Sequence, residues 1–174
     1  MVAMACAGHP YLVASDLELN RPGPSYTSDT LRRLHAAGYL ASQIFFLTGA
    51  DAFAEIATWR DYPAVLSLAH FVVSSRPGHV ATALPARLPD LASRMITVAD
   101  ENGAARDEAA PLVFLLDADT PDVSSTDIRA RASDGRSIAG LVPAAIDRHI
   151  RHHGLYGAPP EPATPGVQGG GIFA

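Results

Sequence analysis

Apolar positions in this chain gather into short runs rich in β-branched and aromatic residues, separated by stretches in which they recur at helical spacing. Ile44-Phe45-Phe46-Leu47-Thr48 breaks into Gly49-Ala50-Asp51, and a helical pattern through Phe53, Ile56 and Ala57 follows, giving a strand, a turn and a helix. Phe71-Val72-Val73-Ser74, Met95 to Val98 and Leu112 to Leu116 read as further buried strands. Tyr11 to Leu19 reads as an earlier strand ending in a turn over Asn20 to Pro24. Helices are expected from about Ser28 to Ala37, with Leu31 and Leu34 facing inward, from Thr126 to Ser133, and from Pro143 to His152, the last opening on Pro and closing at Gly154. A connection rich in Pro, Ala and Leu lies between Gly78 and Ser93. Strands that alternate with helices predict an α/β fold built on a doubly wound, mostly parallel sheet, whose ligands bind at the carboxyl ends of the strands.

The pattern stops after Tyr156. Residues 157–174 are Gly, Pro and Ala with almost no charge, too little apolar surface to offset the entropy of ordering, so a folded domain over 1–156 and a disordered tail are expected. At 174 residues and 48% hydrophobic the chain suffices for one core. The formal net charge of -5 argues against nucleic acid or an anionic membrane as the main partner, so an anionic ligand must be met by local chemistry. All thirteen basic residues are Arg, whose planar fork suits phosphate, although genomic base composition would give the same result. Cys6 is the single cysteine, which rules out an intrachain disulfide or a multi-Cys zinc site and fits a reducing compartment. The opening residues lack a basic n-region and a long apolar stretch, so neither export nor membrane insertion is expected, and the location is cytoplasmic.

Two stretches carry candidate chemistry. In Val123-Ser124-Ser125-Thr126-Asp127-Ile128-Arg129, hydroxyls and free backbone N–H groups gather at the positive end of a helix, with Arg129 one turn after Ser125 on the same face, so an anion can be held from two sides. Plain capping explains part of it equally well, with Ser124 as N-cap and Asp127 closing a capping box. In Gly49-Ala50-Asp51, the Asp stands at a strand end, where it can accept hydrogen bonds from ribose hydroxyls or cap the next helix.

These stretches stand in order with Asp16-Leu17-Glu18-Leu19, Pro24-Ser25-Tyr26-Thr27, Thr58-Trp59-Arg60, Arg76-Pro77-Gly78 and His153-Gly154-Leu155-Tyr156. In that ordered set the chain resembles the bacterial nicotinate-nucleotide adenylyltransferases, from about Ser15 to Tyr156. The resemblance implies a Rossmann-like nucleotidyltransferase fold and transfer of the adenylyl group of ATP to nicotinate mononucleotide, giving deamido-NAD and pyrophosphate, with Mg²⁺ carried mainly by the nucleotide. It implies that Ser124, Ser125, Thr126 and Arg129 grip the outer phosphates of ATP, with Arg129, Ser125 and Thr126 catalytic. Gly49 and Asp51 would face the adenosine, while Thr27, Trp59, Arg60 and Arg76 would meet the acceptor. By the same likeness Trp59 stacks on the pyridine ring, and backbone around Thr27, Trp59 and Arg60 reads the nicotinate carboxylate. The residues alone allow blander roles: a Trp packing a helix end, capping by Ser25, Thr27 and Ser28, and a solvated turn Arg76.

One departure stands out. The family opens on a strand, a Gly-rich turn and His-x-Gly-His, and this sequence has no such motif. Met1 to Pro10 looks like the helix that precedes the family's second strand, so the fold is expected to lack at least its first βα unit, about 30 residues or more. His9, followed by Pro10, reads as a helix-end residue. The missing strand would expose apolar edges and invite aggregation or pairing with another copy, so a homo-oligomer stays open. Two other readings remain beside the enzyme: a truncated, non-catalytic nucleotide-binding protein, and a related adenylyltransferase acting on nicotinamide mononucleotide or a pantetheine phosphate. His149, His152 and His153 share helical spacing but read as imidazoles at a helix C-terminus rather than metal ligands. Asp117 and Asp119 read as a strand end leading into a turn.

Overall fold

The computed structural model describes residues 1–20, 22–97 and 110–158, so Arg21 and the expected tail beyond Ala158 lie outside the described residues. The chain divides into two compact units, one over Ser15–Asp122 and one joining Met1–Ala14 to the stretch from Val123.

The first unit is built on four parallel strands, β1 (Phe45–Gly49), β2 (His70–Ser74), β3 (Met95–Thr97) and β4 (Val113–Leu116), in the order β1-β2-β4-β3. The strands coincide with the apolar runs, as the α/β reading requires. Register pairs Phe46 with Phe71 and Val73 with Leu115, so Phe71, Val73, Val113, Leu115 and Met95 share one buried face. Against that face pack Leu31 of α2 (Thr27–Ala36), Ala50 and Phe53 of α3 (Ala50–Ala54), Leu84 of α4 (Leu84–Arg87), and Ile56, Val65, Leu66 and Leu91 from short 3₁₀ turns. Helix α2 forms where Leu31 and Leu34 recur on one side of an otherwise polar sequence, and its Asp29 stands favourably in the first turn.

The stretch Tyr11 to Leu19 departs from expectation. It forms no strand, and Tyr11 and Val13 are 93% and 87% exposed. Among the described residues no strand pairs with it, and β-propensity acts through such neighbours. The polar groups of the segment find other partners: the Leu17 carbonyl accepts from Arg33, and Glu18 accepts from the Thr30 hydroxyl, which ties it to α2 by side chains instead.

His70 is a buried polar group on the other face of the sheet, only 8% exposed. Its Nδ1 accepts the Leu112 N–H at 2.9 Å, and its ring stacks on Phe45 at 4.8 Å. Burial pushes its pKa below the ordinary value of 6.5. A group with a depressed folded pKa binds fewer protons folded than unfolded, so its contribution is complete above 6.5 and is lost as pH falls from there toward the folded value. Protonation at Nδ1 would also remove the acceptor for Leu112. Urea midpoints are therefore expected to fall between pH 7.5 and 5.5, with a smaller fall in His70→Phe. Part of the fall should survive in that variant, because His149 is lowered in the same direction by burial and by the neighbouring charges of His153, the N-terminus and His152. An identical pH dependence in the wild type and His70→Phe would remove His70 from this account.

The second unit contains α1 (Val2–Cys6), α5 (Ser125–Ser133) and α6 (Ala144–His152). Ala132, Ile138, Ile146, Ile150 and Ala158 form its core, with Ala5, Ile128, Val142 and Leu155 packed against it. Arg131–Asp127 at 2.7 Å and Arg151–Asp147 at 2.8 Å are pairs one turn apart that support α5 and α6. No helix among the described residues is long and apolar enough to cross a membrane.

Candidate active site

Strand β1 runs into α3 without an intervening loop: Gly49 is both the last strand residue and the N-cap of the helix. Asp51 stands in the first turn of α3 and makes no capping hydrogen bond, so of its two expected roles the capping one is not realised. One of its carboxylate oxygens, Oδ1, is buried and has no hydrogen-bond partner among the described residues, while Oδ2 lies 3.9 Å from the Arg76 guanidinium. A buried acceptor without a donor is costly, and its natural complement is a hydroxyl or N–H supplied from outside.

Gly49 is required here for close approach, not for backbone freedom. A Cβ on it would stand 2.4 Å from Asp51 Oδ1 and 2.8 Å from Arg76 Cδ. The Gly-Ala-Asp corner after β1 and the Arg-Pro-Gly turn after β2 therefore converge on one point. Around it opens a cleft of about 330 Å³ lined by Leu47, Thr48, Gly49, Ser74, Ser75, Arg76, Thr120 and Pro121, at the carboxyl ends of the strands. Gly49, expected on the adenosine side, and Arg76, expected near the acceptor, thus share a single cleft, and Asp51 stands beside both without lining it.

The Arg76 turn is closed by paired backbone bonds between Arg76 and His79, at 2.9 and 2.7 Å, and by Gly78 at φ 80°. Beneath it lies a hydrogen-bond network that the sequence reading missed. Asp117, directly after β4, accepts from the Ser75 hydroxyl and, at 2.6 Å, from the Thr82 hydroxyl. Those two bonds, Ser75 foremost, hold its carboxyl below the usual Asp range. Asp117 is therefore more than the end of a strand. Its partners stand 42 and 35 residues away, and nothing in the local sequence marks the link.

Two of the segments expected on the acceptor side also meet, through Arg60 and neighbours of the other expected residues. Arg60 lies 4.6 Å over the Tyr26 ring and 3.5 Å from Asp29, while Arg32 binds Asp61 at 2.6 Å. These contacts join the start of α2, where Thr27 stands, to the turn carrying Trp59 and Arg60. Asp61 holds this turn at φ 64°, and the Arg32 guanidinium keeps its carboxyl below the ordinary value. Tyr26 is the N-cap of α2 and no side chain caps it, so Ser25 and Thr27 do not serve as caps. Trp59 is half-buried and meets Phe46 edge-on at 5.9 Å and Phe71 at 6.4 Å. Part of its ring thus belongs to the core, the packing role that its residue type alone suggests.

In the second unit Ser124 is the N-cap of α5, its hydroxyl accepting the Asp127 N–H at 3.0 Å. The capping box is only half formed, since the Asp127 carboxylate binds Arg131. Ser125 and Thr126 open the helix, exposed, while the next two N–H groups are taken by Ser124, that of Asp127 by its hydroxyl and that of Ile128 by its carbonyl. Arg129 is exposed and lies 5.7 Å over the Tyr156 ring, so the His-Gly-Leu-Tyr segment meets the Ser-Ser-Thr-Asp-Ile-Arg helix at this arginine. His149, His152 and His153 cluster at the end of α6 with ring centroids 4.4 and 4.8 Å apart.

With this geometry in place, kinship decides the class of protein. The model of the cytidylyltransferase-like family matches residues 1–131. The chain belongs to that family. It is a nucleotidyltransferase, and its relatives narrow the group. A protein of Roseiflexus sp. (strain RS-1), named a probable nicotinate-nucleotide adenylyltransferase, is 39% identical over 159 residues, which cover 90% of this chain and 69% of the relative. Proteins of the same name from Geotalea daltonii and Paenarthrobacter aurescens are each 38% identical, covering 90% and 97% of this chain and 72% and 71% of theirs. In this nucleotidyltransferase the cleft at the ends of β1 and β2 occupies the position where open parallel sheets bind nucleotides.

Proposed function

We propose that this chain transfers the adenylyl group of ATP to nicotinate mononucleotide, giving deamido-NAD and pyrophosphate. The observation that carries the proposal is the convergence of Gly49, Asp51 and Arg76 at one corner, with Gly49 and Arg76 lining the cleft there, in a chain whose relatives bear the name of that activity. A phosphate oxygen of the mononucleotide attacks the α-phosphorus of ATP in line. A bond forms there as the bond to the bridging oxygen breaks, and pyrophosphate leaves with its electron pair. The protein's share is alignment and charge stabilisation.

Asp51 Oδ1 suits a ribose hydroxyl, and Gly49 lets the sugar approach the backbone. Arg76 offers a guanidinium to phosphate. The turn carrying Trp59 and Arg60, with Thr27, is assigned the nicotinate ring and its carboxylate, where backbone N–H groups favour an acid over an amide. Ser124, Ser125, Thr126 and Arg129 are assigned the outer phosphates of ATP. Mg²⁺ is assigned to the phosphates of ATP. With ATP as co-substrate the reaction is assigned to the cytoplasm.

The test compares substrates. Pyrophosphate release is expected with ATP and nicotinate mononucleotide, and at far lower rates with nicotinamide mononucleotide or 4′-phosphopantetheine. Equal rates with the amide would refute the carboxylate reading. One second reading is a nucleotide-binding chain without catalysis. Binding of nicotinate mononucleotide with no release of pyrophosphate would decide for it. Arg129→Ala is expected to lower kcat/KM for ATP about tenfold to a hundredfold while leaving the thermal midpoint in place, the cost of one charge-assisted contact to phosphate. An unchanged kcat/KM would remove Arg129 from the site.

A further inference from the structure

We propose that Asp117 is a positioning residue that sets the Arg76 turn, and through it the phosphate contact of the cleft; this rests on reading the cleft as a mononucleotide site. The turn from Ser75 to Thr82 has two feet, and the one carboxylate of Asp117 holds both, accepting from the Ser75 hydroxyl at one end and the Thr82 hydroxyl at the other. Every polar atom of Ser75 is committed. Its N–H donates to the Leu116 carbonyl at 3.0 Å, its carbonyl accepts from Thr120 Oγ1 at 3.2 Å, and its hydroxyl oxygen, while donating to Asp117, accepts the Ala81 N–H at 2.8 Å.

Arg76 follows immediately, and its position is tight. Its Cδ lies where a Cβ on Gly49 would collide with it, so a small rotation of the turn changes where the guanidinium points. Ser75, Arg76 and Thr120 all line the cleft, so the network beneath also shapes its floor. An ionised carboxylate is an acceptor on both oxygens, which matches two hydroxyl donors. Asparagine would keep one acceptor, remove the charge that strengthens both bonds, and make the other hydroxyl accept from an NH₂ where it had donated, which turns that hydroxyl and loosens one foot of the turn.

Binding of nicotinate mononucleotide to the full chain, measured by calorimetry, tests this. Asp117→Asn is expected to weaken binding about tenfold, the size of one lost hydrogen bond to a charged group. Thr82→Val should act in the same direction by a smaller factor. In an Arg76→Ala background Asp117→Asn should add nothing further, because its effect passes through that arginine; a merely stabilising role would shift the melting midpoint and give independent effects on binding. Unchanged affinity in folded Asp117→Asn, or full additivity with Arg76→Ala, overturns the proposal. Should Asp117→Asn fail to fold, an unchanged affinity in Thr82→Val overturns it instead. Absence of binding to the wild-type chain would sink the reading of the cleft itself, a result distinct from wild-type binding that the variants leave untouched.

Discussion

Gly49→Ala should cost this protein its nucleotide site while leaving its fold nearly intact. The added methyl would stand 2.4 Å from Asp51 Oδ1 and 2.8 Å from Arg76 Cδ, distances that no real Cβ tolerates. Both atoms belong to side chains with freedom to swing away, and Gly49 has φ -82° and ψ 155°, which alanine adopts without strain. The fold therefore escapes with a loss of at most about 1 kcal/mol. The site does not escape, because relief comes only from displacing the two side chains assigned to ribose and phosphate. Calorimetric titration with nicotinate mononucleotide and with ATP should show affinity reduced by about a hundredfold or more, the size expected when two polar contacts go together. The thermal midpoint should move by a few degrees at most. Undiminished binding of both ligands would mean that the corner between Gly49, Asp51 and Arg76 is not where nucleotides sit.

The opposite dissociation is expected at Phe71. Its ring is fully buried and lies within 5.6 Å of Phe46 and of Phe53 and 6.4 Å from Trp59, centroid to centroid. Truncation to alanine opens a cavity between the sheet and its covering helices, where neighbours on β1 and α3 are anchored at both ends and collapse poorly. The loss should be about 3–5 kcal/mol, comparable with much of the stability of a small domain. Denaturant titration of Phe71→Ala should give a midpoint shifted far down, or a chain unfolded in buffer. A loss below about 1 kcal/mol would show that the aromatic cluster is not the centre of this core.

How far these features were legible follows from what each depends on. The strands β1, β2 and β4 are runs rich in aromatic and aliphatic residues with one face turned to the core, a signal carried by local sequence, and α2 announces itself through Leu31 and Leu34. Tyr11 to Val13 carries the same local signal and forms no strand, because pairing depends on a neighbour that no local pattern reveals. The candidate site divides along the same line. Gly49, Asp51 and Arg76 were visible as turn residues after strands, but their convergence needed β1 and β2 to be adjacent and in register. The special need for glycine at position 49 comes from Asp51 two positions later and from Arg76 twenty-seven positions later, and only the fold brings the second there. Asp117 reads locally as a strand end because its hydrogen-bond partners, Ser75 and Thr82, stand on another segment. Trp59 was legible as a chemical type, whereas its edge contacts with Phe46 and Phe71 are a product of the fold.

The placement of that indole gives the molecule a built-in optical reporter. Trp59 is the only tryptophan in the chain and lies in the Ser15–Asp122 unit, against the aromatic core on one side and the turn bearing Arg60 on the other. Selective excitation of this lone fluorophore follows the melting of one unit without interference from the other. Its quenching by an added pyridine nucleotide would register occupancy without any label.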